Sequence, residues 1–259
     1  MQQLEFKTWS RLQQWLAEYK AGQKRYAFRG QSDSSWLLRT SLARYFGKNP
    51  IGDNEWRDRE LKMYQMFRQR LLHTWPGMYD EWKPWDILSL MQHHGAFTRM
   101  LDFTFSPSVA AYFALEDARG ESVIWVVDCD RLEERREKLK LPKYCGPTHI
   151  PKYTRLLEKQ SRGGAIWEPE HRHGRLAAQR GCFLNTGRIS QPILEELIDT
   201  KVNLSEGIAI ESCTRLKELG VDRHSLFPKL GRLAQEANRF SVKGSTHFPD
   251  TGDEADQRG

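Results

Sequence analysis

The chain has its densest run of chemically capable side chains in residues 88–128, LSLMQHHGAFTRMLDFTFSPSVAAYFALEDARGESVIWVVD. Apolar residues recur at helical spacing over 108–115, and Pro107 suits the first turn of a helix. Residues 123–127 are apolar and β-branched or aromatic, which is typical of a strand covered on both faces. The stretch therefore predicts polar residues on a strand or turn, then a short helix, then a buried strand.

The composition is that of a globular chain with a basic body. The 259 residues carry a formal net charge of +6 and suffice for one large domain or two small ones. Residues 244–259 hold four carboxylates and one arginine, so the rest of the chain carries +9. A basic body fits an anionic partner such as a nucleotide, a nucleic acid or an acidic protein, and it equally fits a merely soluble basic surface.

The four cysteines lie far apart and lack Cys-x-x-Cys spacing. This pattern argues against a zinc knuckle and against a disulfide framework, so a reducing cytoplasm is the simplest location. The first 16 residues carry a charge every few positions, which argues against a signal peptide and a membrane span. His171 and His173 lack a further ligand at helical spacing, and we predict no metal site.

Residue periodicity predicts elements outside the central stretch as well. In chain order they are a helix capped by Thr8 with an apolar face from Trp9 to Tyr19, a strand over 26–28, a helix with its apolar face from Leu61 to Leu71, a short helix over 87–91, a charged helix over 131–140 and a strand over 208–210. Residues from Lys243 onward are expected to be disordered.

Arg29 and Gly30 follow the strand predicted over 26–28. Glycine allows a backbone turn or the close approach of a ligand that a Cβ would block. An arginine at a strand end beside such a glycine is suited to fork onto phosphate or carboxylate oxygens. The alternative is a structural arginine that pairs with an aspartate such as Asp102.

The motifs of this chain resemble those of the FRG domain family. They are Phe28-Arg29-Gly30, Trp36-x-Leu38, Thr40-Ser41-Leu42, Gln92-His93-His94-Gly95-x-x-Thr98-Arg99-x-Leu101-Asp102-x-Thr104, Val109-Ala110-x-Tyr112-Phe113-Ala114, Arg175-x-x-x-Gln179-x-Gly181-x-Phe183, Leu219-Gly220-Val221 and Leu226-Phe227-Pro228-x-Leu230. The chain departs from the family pattern at Met100, Phe103 and Lys229. The resemblance covers about residues 20–235, and it predicts an FRG domain over 1–243 followed by an acidic tail over 244–259.

A second resemblance is to the ADP-ribosyltransferases that carry an Arg-Ser-Glu signature. Phe28-Arg29-Gly30, Thr104-Phe105-Ser106, a helix over 108–114 and a strand over 123–127 occur here in the order of that family. The resemblance implies a single α+β domain with a split, mixed or antiparallel sheet and inserted helices. It also implies NAD as a substrate and a macromolecule as the acceptor, in the manner of a bacterial toxin or defence effector.

The same resemblance gives roles to individual residues, because cleavage of NAD needs a held pyrophosphate and stabilisation of an oxocarbenium-like ribose. The implied catalytic residues are Arg29, His93, Thr104 and Gln179, and the implied cofactor-binding residues are Arg29, Gly30, Gln92, Arg99, Ser106 and Tyr112. Phe113 is an alternative to Tyr112 for ring packing. His93 has a structural alternative, a hydrogen bond to a loop carbonyl, and Asp102 is expected to orient Arg99 or Arg29.

Those transferases also need a late acidic or amide residue. Gln179 fits the FRG pattern, and Glu168, Glu170 and Glu211 are the other candidates. A glutamine forms hydrogen bonds but does not serve as a base.

Basic residues recur at Lys152, Arg155, Lys159 and Arg162, and a second basic run spans 171–180. These runs fit either a contact with RNA or DNA phosphates or a solvated surface. An antitoxin or regulatory protein is a further expected partner, and an association with a membrane is not expected. Two alternatives to the transferase remain open: a non-catalytic module that binds a nucleotide or nucleic acid, and a metal-dependent nuclease that uses Asp102, Asp128 or Glu170.

Overall fold

A seven-stranded mixed sheet organises the computed structural model, which describes residues 1–21, 24–47, 53–138, 164–170, 174–186, 192–193 and 195–228. The strands are β1 Gln2–Phe6, β2 Tyr26–Gln31, β3 Met100–Thr104, β4 Ser122–Asp128, β5 Gly164–Trp167, β6 Gly181–Thr186 and β7 Thr200–Leu204. Their order across the sheet is β1-β7-β4-β2-β3-β6-β5. The β1–β7 pair is parallel and the other pairs are antiparallel.

The helices lie mainly between the strands in sequence. They are α1 Trp9–Ala21, α2 Ser41–Gly47, α3 Asp53–Thr74, α4 Pro84–His93, α5 Pro107–Leu115, α6 Cys129–Lys138, α7 Gly174–Ala178, α8 Ala209–Glu218 and α9 Arg223–Leu226. Short 3₁₀ helices occur at Glu195–Leu197 and Glu206–Ile208. The predicted α+β class is confirmed, and the seven described strands form one mixed sheet.

The sheet buries side chains on both faces because residues along a strand alternate between them. On one face, Phe28, Ile124 and Val126 pack in a cluster that includes α1, α5 and α8. A second cluster, with residues of α3, α4 and α7, covers β3, β5 and β6 on that same face. On the opposite face, Ala27 and Val127 pack with Leu132 of α6. Helix α5 and strand β4 therefore form the buried centre that the stretch 88–128 predicted.

Two local predictions need correction. Residues 208–210 do not form a strand: a 3₁₀ helix ends at Ile208 and α8 follows. Ile208 is buried whereas Ile210 is 86% exposed, and this pattern suits one face of a helix. Arg29 and Gly30 lie inside β2, not beyond its end.

Strands β1 and β7 were not predicted, although they pair along their full lengths. In the described part of the chain, no helix has the length and apolarity needed to cross a bilayer. The predicted tail over 244–259 and the basic residues 152–162 lie outside the described residues, as does the His171-x-His173 pair.

Candidate functional site at the β2–β3 junction

Strands β2 and β3 are neighbours that pair through one residue on each strand, Phe28 and Thr104. By contrast, β2 pairs with β4 from Tyr26 to Gln31. A continued ladder would place Gly30 opposite Asp102, but the Asp102 carbonyl instead accepts a hydrogen bond from Arg29 Nη1 at 2.8 Å. The two strands therefore diverge beyond Phe28, and an arginine side chain bridges them. We call this region the β2–β3 junction.

Arg29 is held at the junction without a complete set of partners. Its Nε is enclosed, and no acceptor in the described part of the chain lies within hydrogen-bonding distance of it. Burial lowers the pKa of Arg29, the Asp102 carboxylate raises it, and the Arg44 guanidinium lowers it again. Two cations thus act on each other beside one carboxylate, which is an arrangement that an additional anion stabilises.

Gln92 fixes the Asp102 carboxylate from the end of α4. Its Nε2 donates to Asp102 Oδ1 at 2.7 Å, and its Oε1 accepts from the hydroxyl of Thr98. The helix that delivers Gln92 begins at Pro84, where the missing N–H costs nothing. Asp102 itself is exposed between the buried Leu101 and Phe103, as predicted for opposite faces of a strand.

His93 lies at the last position of α4, next to Gln92, and its side chain is exposed. Its ring contacts that of His94 with centroids 5.1 Å apart. His93 therefore lies beside the junction at the surface of the protein.

Thr104 and Ser106 have structural partners on the other face of the sheet. Thr104 pairs with Phe28, so its side chain lies on the Phe28 face whereas Arg29 points to the opposite one. The Thr104 hydroxyl donates to the Gln179 carbonyl at 2.7 Å and accepts from the Ser106 N–H at 2.9 Å. Ser106 caps α5 by accepting from Val109 N–H at 3.4 Å. Both hydroxyls thus form hydrogen bonds that serve the fold, and neither of these bonds is made with Arg29.

Gln179 belongs to the turn between α7 and β6. Its amide Nε2 donates to the Leu226 carbonyl at 3.2 Å, and its own carbonyl accepts from Thr104. Both groups tie chain segments together, and the late catalytic role of Gln179 stays a prediction. Glu168 pairs with Arg25 at 2.8 Å, and Glu170 pairs with Lys83.

Arg180, the next residue of that turn, has a positive φ of 48°. Its N–H donates to Ala177 and its carbonyl accepts from Phe105, each at 3.0 Å, so the backbone is fixed in this conformation. An L-residue in the left-handed region is strained by roughly 1–2 kcal/mol, and glycine is not.

We expect Arg180→Gly to raise the free energy of unfolding by about 0.5–1 kcal/mol, after the greater freedom of glycine in the unfolded chain is allowed for. Urea unfolding followed by circular dichroism measures the change. Arg180→Ala keeps the strain and is the control, with an expected change close to zero. A midpoint for Arg180→Gly at or below that of the wild type would contradict this prediction.

Arg99 and Glu60 form a buried ion pair, which gives Arg99 a structural partner away from the junction. Arg99 Nε donates to both Glu60 oxygens, at 2.7 and 2.9 Å, and Nη2 donates to Oε2. The two side chains are 1% and 4% exposed. The Arg99 guanidinium is thus engaged by Glu60 in the core, whereas Asp102 lies beside Arg29.

Tyr112 and Gly30 also have packing roles. Tyr112 is 5% exposed within the cluster of α1, α5 and α8, and burial raises the pKa of its hydroxyl well above the usual range. A Cβ on Gly30 would lie 2.0 Å from the Ala110 carbonyl oxygen of α5. The close approach that this glycine permits is that of a helix to the sheet.

The carboxylates proposed for a nuclease are dispersed. Asp128 Oδ1 accepts from the N–H groups of Asp130 and Arg131, each at 3.0 Å, at the start of α6. Across the described ranges, no group of three histidine, cysteine, aspartate or glutamate side chains is arranged to hold a metal ion. The nuclease alternative thus has no geometric support in this part of the chain.

Sequence reasoning missed Arg44, Tyr45 and Phe97. Tyr45 and Phe97 stack with ring centroids 4.4 Å apart and an angle of 22° between their planes. They come from α2 and from the segment before β3, and no local pattern signals that such distant residues meet.

Residues 24–122 match the family model of the FRG domain. No curated protein matches the chain, and no solved structure does. The matched segment contains β2, α2, α3, α4, β3 and α5, and thus every element that forms the β2–β3 junction.

Proposed function

Since the chain carries an FRG domain at residues 24–122, we propose that it is an NAD-dependent ADP-ribosyltransferase that modifies a macromolecule. In this reaction the bond between the ribose C1′ and the nicotinamide nitrogen breaks, and nicotinamide leaves with the electron pair. An oxygen or nitrogen of the acceptor bonds to C1′ and releases its proton to a base or to water. We further propose that the protein acts as a bacterial toxin or defence effector, which an antitoxin or regulatory protein would restrain.

The observation that carries the proposal is the environment of Arg29. Its Nη1 is anchored on the Asp102 carbonyl while its Nε lacks an acceptor among the described residues. Arg44 adds a second positive charge that lowers the pKa of Arg29. The pyrophosphate of NAD supplies anionic oxygens that satisfy both cations, and arginine binds such oxygens in a forked geometry.

Asp102 and His93 are the groups that we assign to the chemistry beside that anion site. Gln92 holds the Asp102 carboxylate in one orientation, which suits a hydrogen bond to a ribose hydroxyl or attraction to the developing ribose cation. His93 is exposed on the same helix end and is proposed to take the acceptor's proton, because imidazole titrates near neutral pH. Thr104, Ser106, Gln179, Arg99 and Tyr112 act as structural residues in this proposal.

Incubation with labelled NAD and separate protein, RNA and DNA acceptors tests the activity. We expect Arg29→Ala to reduce transfer at least tenfold, because the pyrophosphate loses its forked partner. The transfer activity of Arg29→Lys should lie between those of the wild type and Arg29→Ala, since lysine keeps the positive charge but lacks the forked geometry.

Arg25→Ala is the matched control, because Arg25 precedes β2 but pairs with Glu168 at the surface. Thermal melting of each variant separates lost chemistry from lost folding. Transfer that survives Arg29→Ala would remove Arg29 from the site, and the absence of transfer to every acceptor by the wild type would overturn the proposal. Growth inhibition on expression, if lost with Arg29→Ala, would support the effector role.

A non-catalytic nucleotide-binding module is the second candidate. The observation in its favour is that the Thr104 and Ser106 hydroxyls are engaged in hydrogen bonds of the fold. Calorimetry with NAD, followed by analysis for released nicotinamide, distinguishes the two: binding without release favours the module.

A further inference from the structure

We propose that Tyr45 and Phe97 form a base-stacking platform for single-stranded nucleic acid, and that such a strand is the acceptor of the proposed transfer. The two rings stack at 4.4 Å, and their residues are 47% and 38% exposed. A second stacked pair, Trp167 on Phe183, is buried in the core. The Tyr45–Phe97 pair therefore presents ordered aromatic surface to solvent.

The fold holds this platform in place from below. Leu42 N–H donates to the Thr98 carbonyl at 3.2 Å, and Thr98 N–H donates to Ser41 Oγ at 3.1 Å. Ser41 Oγ donates in turn to the Thr98 carbonyl at 3.3 Å. These bonds fix α2 against the segment that carries Phe97. The rings are thus positioned before any ligand arrives, which lowers the entropic cost of stacking a base on them.

The charges around the platform match a phosphate backbone. Residues 36–47 contain Arg39 and Arg44 and no carboxylate, and residues 88–99 likewise contain no carboxylate. The Nε of Arg39 lacks an acceptor within the described ranges. Aromatic rings bordered by cations are the elements with which proteins bind single strands, because every base has a π-face and every nucleotide a negative charge. In a duplex the bases are stacked on each other and do not reach such rings.

The platform is connected to the β2–β3 junction through the residue after Phe97. The Thr98 hydroxyl donates to Gln92, whose amide donates to Asp102. Arg44, which acts on the pKa of Arg29, precedes Tyr45 on α2. A strand that stacks a base on the pair therefore passes beside the proposed NAD site. The inference rests on the proposed function in taking this strand as the acceptor of the transfer. The binding of the strand to the platform itself requires no NAD.

Fluorescence anisotropy with a fluorescein-labelled 20-nucleotide RNA or DNA single strand tests the inference on the full chain without NAD. We expect the wild type to bind, and Tyr45→Ala or Phe97→Ala each to raise Kd about tenfold, which is within the range measured for loss of base–aromatic stacking. Tyr45→Phe and Phe97→Tyr keep the ring and should bind like the wild type. A labelled duplex of the same length should bind more weakly than the single strand.

Trp75→Ala is the matched control, because Trp75 is 50% exposed and makes an edge contact with Tyr79. The Kd of Trp75→Ala for the single strand should equal that of the wild type. Equal binding of the duplex, equal loss with Trp75→Ala, or full binding by Tyr45→Ala and Phe97→Ala would each overturn the platform.

The free dinucleotide provides the last comparison. Calorimetric affinity for NAD should be the same in wild type and Tyr45→Ala, and a loss equal to that for the strand would show that the pair holds a base of NAD, which overturns the inference. Strand binding through the pair in a protein that never releases nicotinamide would support the platform and refute the transferase. Nicotinamide release without strand binding would support the transferase and refute the platform.

Discussion

Replacement of Glu60 by alanine is expected to destabilise the fold by about 3–5 kcal/mol, the usual cost of leaving one member of a buried ion pair without its partner. Arg99 is 1% exposed, and its guanidinium makes a two-pronged contact with the Glu60 carboxylate. Without Glu60, a full positive charge stays in the core beside the first residue of β3. Urea unfolding should show a midpoint far below that of the wild type.

Two variants make the Glu60 result specific. Glu55→Ala removes the exposed partner of Arg59 on the same helix, and a surface pair of this kind contributes at most about 1 kcal/mol. The double variant Glu60→Leu with Arg99→Met removes both charges and should recover most of the lost stability. A single variant as stable as the wild type, or a double variant no better than the single one, would contradict the role we give to this pair.

Gly30→Ala is expected to destabilise the protein by roughly 3 kcal/mol or more, at or above the upper end of the usual cost of overpacking. The new Cβ would lie 2.0 Å from the Ala110 oxygen and 2.5 Å from the Ala114 nitrogen. Both are backbone atoms of α5, so no side-chain rotation relieves the clash, and the helix must move from the sheet.

Gly207→Ala is the control for Gly30→Ala, because a Cβ there would meet nothing within 4 Å. Differential scanning calorimetry should show a large drop in Tm for Gly30→Ala and little change for Gly207→Ala. The experiment also distinguishes the packing role from the ligand role that the sequence suggested. A Gly30→Ala protein with an unchanged Tm and no affinity for NAD would restore the ligand role.

Some residues of the motifs that resemble the FRG domain have a role in folding, as the Arg99–Glu60 pair and Gly30 show. Arg99 and Gly30 both belong to the quoted motifs, yet one is in a buried ion pair and the other is under a helix. The Thr104 hydroxyl donates to the Gln179 carbonyl next to the pairing of β3 with β6. Arg29, Gln92 and Asp102 are the motif residues that meet at the junction. We therefore expect substitutions of the first group to affect stability and those of the second to affect binding.

The order of residues alone indicated most of the local elements. The period of apolar residues predicted α1, α5 and β4, because burial of one stripe of a helix or both faces of a strand leaves a direct mark on the order of residues. The motifs indicated the FRG domain, and the family match over 24–122 bears this out. Strands β1 and β7 were not predicted, because a five-residue strand at or near a sheet edge has only a weak alternation of apolar and polar residues.

Packing between segments that are distant in sequence sets which of the candidate residues share a site. The partner of Arg99 lies 39 positions away along the chain, and that of Tyr45 lies in the segment before β3, so neither spacing nor residue type reveals either contact. The pairing of β2 with β3 at Phe28 placed Thr104 and Arg29 on opposite faces of one sheet. Such a choice depends on strand register, which is set by packing between segments that are remote in sequence.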